Sequence, residues 1–283
     1  MSIYRSDEGR AVLMAHYERA RRRLGPGVEA LRVGTGHGET HVLVEGPEGA
    51  PPLVLLHGAG ADGPGLLGML RPLATTHRLY VPDLPGFPGL SAEERPDDDA
   101  WGPWVEDLLD GLSLPRASLL GMSWGGMVVL RTAAHIPQRI HRAALLNPAG
   151  MVRPSTGRAL RTLAALAHYR FAPSPQRLAR AVGPLLTDHD PERAQRIGAV
   201  VRHVRGLGLP RRATPAELAA FRSPTLVLSG SDDPWFPGHR VAARAPALLP
   251  GLVAAECLPG WAHAPSPAVL AVLHGRLQGF FVR

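Results

Sequence analysis

Residues 117–126 read ASLLGMSWGG, and the fold turns on how they are taken. A short apolar run ends in Gly121-Met122-Ser123-Trp124-Gly125, and residues 124–134 continue with a spacing that suits a helix. The run has the length and near-continuous apolarity of a strand covered on both faces. Glycines on either side of Ser123 permit a turn too tight for bulkier residues, which lifts the serine hydroxyl clear of the sheet edge. A G-x-S-x-G match alone is weak in a chain with 32 glycines. The competing reading is a glycine-rich turn whose serine caps a helix. The strand before and the helix after favour the first.

The same alternation extends outward. Strands are expected at 53–56, 78–82, 142–146, 225–228 and 253–258, with helices at 101–112, 239–248 and 267–280 between and after them. Strands alternating with helices imply a mostly parallel sheet wrapped on both sides. Ahead of this block lie a helix over 9–24, closed by Gly25-Pro26-Gly27, and strand-like runs at 29–33 and 40–45 around GTGHGE. That pair reads as a hairpin. The rhythm breaks between residues 150 and 221, where Leu160, Leu163 and Leu166, and later Ile197, Val200, Val201 and Val204, have helical spacing with prolines at the joints. The expected organisation is therefore an α/β core formed by 1–149 and 222–283, with 150–221 inserted as a helical cap.

Composition narrows the setting. With 283 residues, 45% of them hydrophobic, the chain can bury a large single core. The start, MSIYRSDEGR, lacks a continuous apolar region and does not read as a secretory signal. The most apolar stretch, 117–130, is too short and too broken by Gly and Ser to span a bilayer. Cys257 is the single cysteine, so no internal disulfide can form. A cytoplasmic protein is expected. All 31 basic residues are arginine and the formal charge is +7, yet these charges are scattered apart from Arg21-Arg22-Arg23. No nucleic-acid signature accompanies them. The expected partner is a small-molecule substrate, with neither nucleic acid nor membrane.

A serine hydroxyl needs a base, and the base needs an orienting acid. The strand-turn-helix arrangement implies the chain order serine, acid, histidine, with both partners on loops beyond the strands' carboxyl ends. After the strand at 225–228 comes Ser229-Gly230-Ser231-Asp232-Asp233-Pro234, a turn with two carboxylates. The strand at 142–146 ends in Asn147, which cannot carry the charge. The acid is thus Asp232 or Asp233. Beyond that turn and its helix stand His263 and His274. His274 lies inside the last helix, whereas His263 sits in the loop Pro259-Gly260-Trp261-Ala262-His263-Ala264-Pro265, and is the expected base. The oxyanion calls for two fixed N–H donors. Trp124, directly after the serine, supplies one. Ala59, in His57-Gly58-Ala59-Gly60, is assigned the other. His57 reads as a loop-fixing residue and Asp83, in Val81-Pro82-Asp83-Leu84-Pro85-Gly86, as a structural turn residue.

Taken together, HGAG at 57, PDLPGF at 82, GMSWGG at 121, GSDDPWFP at 230 and GWAHAP at 260 resemble the α/β-hydrolase fold family across nearly the whole chain. In similar proteins the acid is the fourth residue of the G-x-x-D turn, which selects Asp233. The N-terminal helix followed by ETHVLVEGPEGAPPLVLLHGAG is similar to bacterial carboxylesterases of the naproxen-esterase kind. That resemblance implies hydrolysis of carboxylic esters with no metal and no organic cofactor. Two departures from the family pattern stand out. No glutamate follows His263, and Gly86-Phe87-Pro88-Gly89-Leu90-Ser91 is looser than the usual G-x-G-x-S. The same three residues would also serve a thioester, a lactone, a carbon–carbon bond or haloperoxidase-like perhydrolysis. A non-catalytic receptor on this scaffold would not need all three.

Overall fold

A computed structural model describes residues 2–282 apart from 155, 207 and 209. Its frame is an eight-stranded sheet: β1 (Glu29–Thr35), β2 (Gly38–Glu45), β3 (Pro52–Leu56), β4 (Arg78–Pro82), β5 (Ala117–Met122), β6 (Ile140–Leu146), β7 (Thr225–Gly230) and β8 (Leu252–Leu258). The strand order is β1-β2-β4-β3-β5-β6-β7-β8. The β1–β2 hairpin runs antiparallel, β2 is antiparallel to β4, and every pairing from β4 to β8 is parallel. Parallel strands need crossover connections, and helices supply them.

Those helices are α1 (Asp7–Leu24), α2 (Gly63–Leu70), α3 (Trp101–Gly111), α4 (Trp124–His135), α5 (Thr156–Phe171), α6 (Pro175–Val182), α7 (Pro191–His203), α8 (Gly238–Leu248) and α9 (Pro267–Phe281). Successive side chains on a strand point to opposite faces, so each central strand feeds two cores. Val54, Leu56, Leu119, Leu145 and Val227 pack with residues of α3, α4 and α8. Leu53, Leu55, Leu120, Ala144, Leu226 and Leu228 pack with α2 and α9 on the other side. This is why β3, β5 and β7 carry almost no polar alternation. The sequence expectation of a mostly parallel sheet flanked by helices holds, and the boundaries agree to within a few residues.

Helix α2 was not expected. Its sequence, GPGLLGML, holds three glycines and a proline. The start signals are nevertheless present: Asp62 accepts from the Gly65 amide at 2.8 Å, and Pro64 falls in the first turn, where its missing N–H costs nothing.

Helices α5, α6 and α7 lie between β6 and β7, in the stretch expected to be helical. They are joined to the start of the chain. Tyr4 forms an antiparallel bridge with Val204, and Ile3, Tyr4 and Leu13 bury themselves with Ala199, Val200 and Val204 of α7 and its end. Arg23 of α1 meets Glu192 of α7 at 2.6 Å. The N-terminal arm and α1 thus clasp the inserted helices.

Candidate active site

The site assembles at the carboxyl ends of β3, β5, β6, β7 and β8. Strand β5 turns into α4 through Ser123, whose φ of 52° lies in the left-handed region that a non-glycine residue seldom occupies. The flanking glycines make that turn possible. A Cβ on Gly121 would lie 2.3 Å from the Gly125 carbonyl oxygen, and one on Gly125 would lie 2.0 Å from that of Leu56. The serine hydroxyl is thereby presented above the sheet at the N-terminus of α4.

His263, on the loop after β8, meets it. Ser123 Oγ lies 2.9 Å from His263 Nε2, and His263 Nδ1 lies 2.7 Å from Asp233 Oδ2. The carboxylate fixes the tautomer: Nδ1–H donates to Asp233, leaving Nε2 to accept from the serine hydroxyl. Asp233 is fully buried, and its Oδ1 accepts from the amides of Trp235 at 2.7 Å and Phe236 at 3.1 Å. Asp232 points elsewhere. It is exposed and accepts at 3.1 Å from Ser231. Between the two carboxylates left open by the turn's chemistry, Asp233 is the one in contact with His263. His274 lies far from this constellation in its bonding, with Nε2 at 2.9 Å from the Met69 carbonyl oxygen.

The loop after β3 forms the opposite wall. Among the described residues, neither the Ala59 amide nor the Trp124 amide is engaged by a protein acceptor, and both residues line the cavity that Ser123 enters. The Trp124 amide is one of the free N–H groups at the start of α4, where the helix dipole favours negative charge. His57 holds this loop in place. It is wholly buried, with Nδ1 at 2.9 Å from the Gly58 carbonyl oxygen, and its Nε2 accepts from the Leu84 amide at 2.9 Å. Burial pushes its pKa down, so it is a neutral strut.

Asp83 is a structural hub, as its turn position suggests. It accepts from the Tyr17 hydroxyl at 2.7 Å, from the Leu90 amide at 3.0 Å and from the Gly63 amide at 3.0 Å, with His41 Nδ1 at 3.2 Å. Burial alone would raise its pKa, but the hydrogen bonds from His41 and Leu90 leave it below the usual carboxylate range. The same burial and the adjacent Asp83 charge drive the Tyr17 hydroxyl well above its ordinary value. α1, β2, α2 and the loop after β4 are tied together at this point.

Sequence reasoning passed over Asn147 beyond noting its lack of charge. It is fully buried at the end of β6 with φ 42°, and it bonds to both the β7 strand end and the His263 loop. No acidic residue follows His263 in its loop, and other groups hold that loop. Ala264 pairs with Leu185 and Leu186, its carbonyl accepts from Thr187 Oγ1 at 2.6 Å, and the Pro265 carbonyl accepts from Arg193 at 2.7 Å. The inserted segment therefore helps to place the base.

Above Ser123 opens a cavity of about 860 Å³. Its apolar lining includes Leu66, Met122, Leu163, Leu166, Ile197 and Val200, with His16, Ala20 and Arg23 of α1 at one side. Of the apolar residues on α5, Leu163 and Leu166 line it and Tyr169 is buried, whereas Leu160 and Phe171 are 63% and 78% exposed and do not. Among the described residues, no group of three or more His, Cys, Asp or Glu side chains is placed to hold a metal ion, and no helix is long and apolar enough to cross a membrane.

A sequence profile described as "alpha/beta hydrolase fold" matches residues 51–265, about three quarters of the chain. The chain belongs to the alpha/beta hydrolase fold family. Within it, the chain is 26% identical over 272 residues to an uncharacterized carboxylesterase, nap, of Bacillus subtilis, covering 89% of this chain and 86% of that one. It is 28% identical over 239 residues to the carboxylesterase YbfK of the same organism, covering 80% and 79%. The crystal structure of naproxen esterase (carboxylesterase NP) from Bacillus subtilis superposes with a TM-score of 0.82 over 98% of this chain and 99% of that chain, at 23% identity. This hydrolase fold thus carries its serine, histidine and carboxylate in mutual contact.

Proposed function

We propose that the protein is a serine carboxylesterase, with Ser123 as nucleophile, His263 as general base and acid, and Asp233 as the orienting carboxylate. The observation that carries this reading is the unbroken chain of contacts from Ser123 Oγ through His263 to Asp233 at the floor of an apolar cavity. The carboxylesterases among its relatives, aligned over most of the chain, support the choice of an ester over other acyl bonds.

The reaction follows from the geometry. His263 Nε2 takes the hydroxyl proton as Ser123 Oγ bonds to the ester carbonyl carbon, and Asp233 stabilises the imidazolium that forms. The carbonyl oxygen becomes an oxyanion, which the amides of Ala59 and Trp124 receive. Collapse breaks the bond to the alcohol oxygen, which leaves with the proton from His263. Water then attacks the acyl-serine with His263 again as base, releasing the acid and restoring the hydroxyl. The segment 150–221, with α1, acts as the cap that shapes the acyl and alcohol pockets. The absence of any cysteine beyond Cys257 is compatible with a cytoplasmic location, which we adopt for the same reading.

Hydrolysis of p-nitrophenyl esters from acetate to decanoate tests it. Turnover that disappears in Ser123→Ala is the expected result, and turnover undiminished in that variant would refute the assignment.

A further inference from the structure

Six arginines line the cavity: Arg5, Arg23, Arg170, Arg193, Arg196 and Arg205. Three of them are answered by carboxylates, Arg23 by Glu192 at 2.6 Å, Arg193 by Asp190 at 3.4 Å and Arg196 by Asp62 at 3.2 Å. The other three are not. Among the described residues, no carboxylate lies within 4.0 Å of Arg5, Arg170 or Arg205.

These three come from separate parts of the chain. Arg5 belongs to the N-terminal arm, Arg205 follows α7, and Arg170 sits in the last turn of α5. The first two are held by the bridge between the arm and the end of α7: the Arg5 amide donates to the His203 carbonyl and the Arg205 amide to that of Ile3, both at 2.8 Å. Their side chains are anchored through Nε, Arg5 to the Val204 carbonyl at 3.1 Å and Arg205 to that of Ser2 at 3.0 Å. Among the described residues, no hydrogen bond engages the terminal guanidinium nitrogens of Arg5 or Arg205. Arg170 lies over the ring of Phe171, 5.0 Å from its centre. The cluster is close enough to be felt. Desolvation, and then the charges of Arg170 and Arg205, push the pKa of Arg5 down. Like charges lining one cavity repel, and an anion placed among them relieves that repulsion.

We propose that Arg5, Arg170 and Arg205 bind an anionic group of the substrate, so that the preferred ester carries a carboxylate or phosphate remote from the scissile bond. Both groups present the same anionic oxygens to a guanidinium fork. The inference rests on the serine-esterase reading above. Apolar residues of the same cavity, Leu163, Leu166 and Ile197 among them, take the connecting chain, and the arginines hold its anionic end.

The test compares p-nitrophenyl hexanoate with mono-p-nitrophenyl adipate and with the 5-phosphonopentanoate ester, in which a carboxylate carbon or a phosphorus takes the place of the terminal methyl. At low salt kcat/KM for one or both anionic esters should exceed that for hexanoate by about tenfold, the scale of a few partly exposed ion pairs. The larger of the two ratios identifies carboxylate or phosphate. That preference should shrink in 0.5 M NaCl, a concentration well into the screening range, and in the Arg5→Gln/Arg170→Gln/Arg205→Gln variant. Arg170→Gln alone and the salt series on the unaltered protein serve if the triple variant does not fold. Ser123-dependent hydrolysis of hexanoate with no preference for either anionic ester overturns this inference and leaves the esterase reading standing. No turnover on any of the three by folded protein, with no labelling of Ser123 by a fluorophosphonate, overturns both.

Discussion

Asn147 Nδ2 donates to the carbonyl oxygens of both Ala262 and His263, at 3.0 Å each, while its Oδ1 accepts from the Gly230 amide at 2.7 Å. One side chain at the end of β6 therefore ties the loop of the base to the strand that leads into the acid. Asn147→Ala leaves a buried N–H, a buried carbonyl and a half-buried one without their partner, and should lower stability by about 2 kcal/mol. If the residue positions His263, kcat should fall about 10–100-fold with KM changed by less than about threefold, the range seen when an orienting partner is lost. Steady-state kinetics beside a thermal melt separate the two effects. A loss of stability with kcat intact would reduce Asn147 to a structural tie.

The two carboxylates of the β7 turn should behave very differently. Asp233 is buried against His263, while Asp232 is exposed and touches Ser231. Asp233→Asn keeps the shape but permits the wrong imidazole tautomer, and kcat should drop by about 10⁴-fold. Asp232→Asn should stay within about threefold of the unaltered enzyme, as expected for a surface substitution. Kinetics on one p-nitrophenyl ester decide the matter, and the opposite ranking would exchange the two roles.

His263→Ala removes the base for both acylation and deacylation. The pre-steady-state burst of p-nitrophenol should vanish, and turnover should fall by at least about 10³-fold. Stopped-flow absorbance checks this. A burst of full amplitude in the variant would mean that another group activates Ser123.

Acid sensitivity should trace in part to His57. Burial holds its pKa below the ordinary value of 6.5, so at pH below that value the unfolded chain binds a proton that the folded chain refuses. The unfolded state then carries more protons, and stability falls as pH falls. Below pH 6.5 the melting temperature should decline, and His57→Gln should flatten the decline while lowering stability at pH 8. Melts between pH 5 and pH 8, the range in which histidine charge changes, measure both slopes. Parallel slopes would assign the acid sensitivity to other histidines, such as His77, which burial shifts in the same direction.

Much of this arrangement was legible because it is written locally. The serine turn needs glycines in fixed places, the acid turn follows its strand directly, and the order of the three residues leaves few candidates. The role of Asn147 was hidden because its partners lie 83, 115 and 116 residues away, and no local pattern registers them. Helix α2 escaped because three glycines and a proline mask a capped turn. On α5, helical spacing marks apolar positions but cannot tell a cavity wall from an open rim. Leu163 and Leu166 line the cavity, while Phe171 projects into solvent.

The clasp between the N-terminal arm and α7 has a consequence for how such a pocket can be altered. Arg5 and Val204 touch across 199 residues of chain, so the part that would govern selectivity is not one contiguous cassette. A chimera receiving a foreign 150–221 segment would set an unmatched roof against α1, losing the Tyr4–Val204 bridge and the Arg23–Glu192 pair together. Two distant stretches must be exchanged as a set, and variation in either one is constrained by the other.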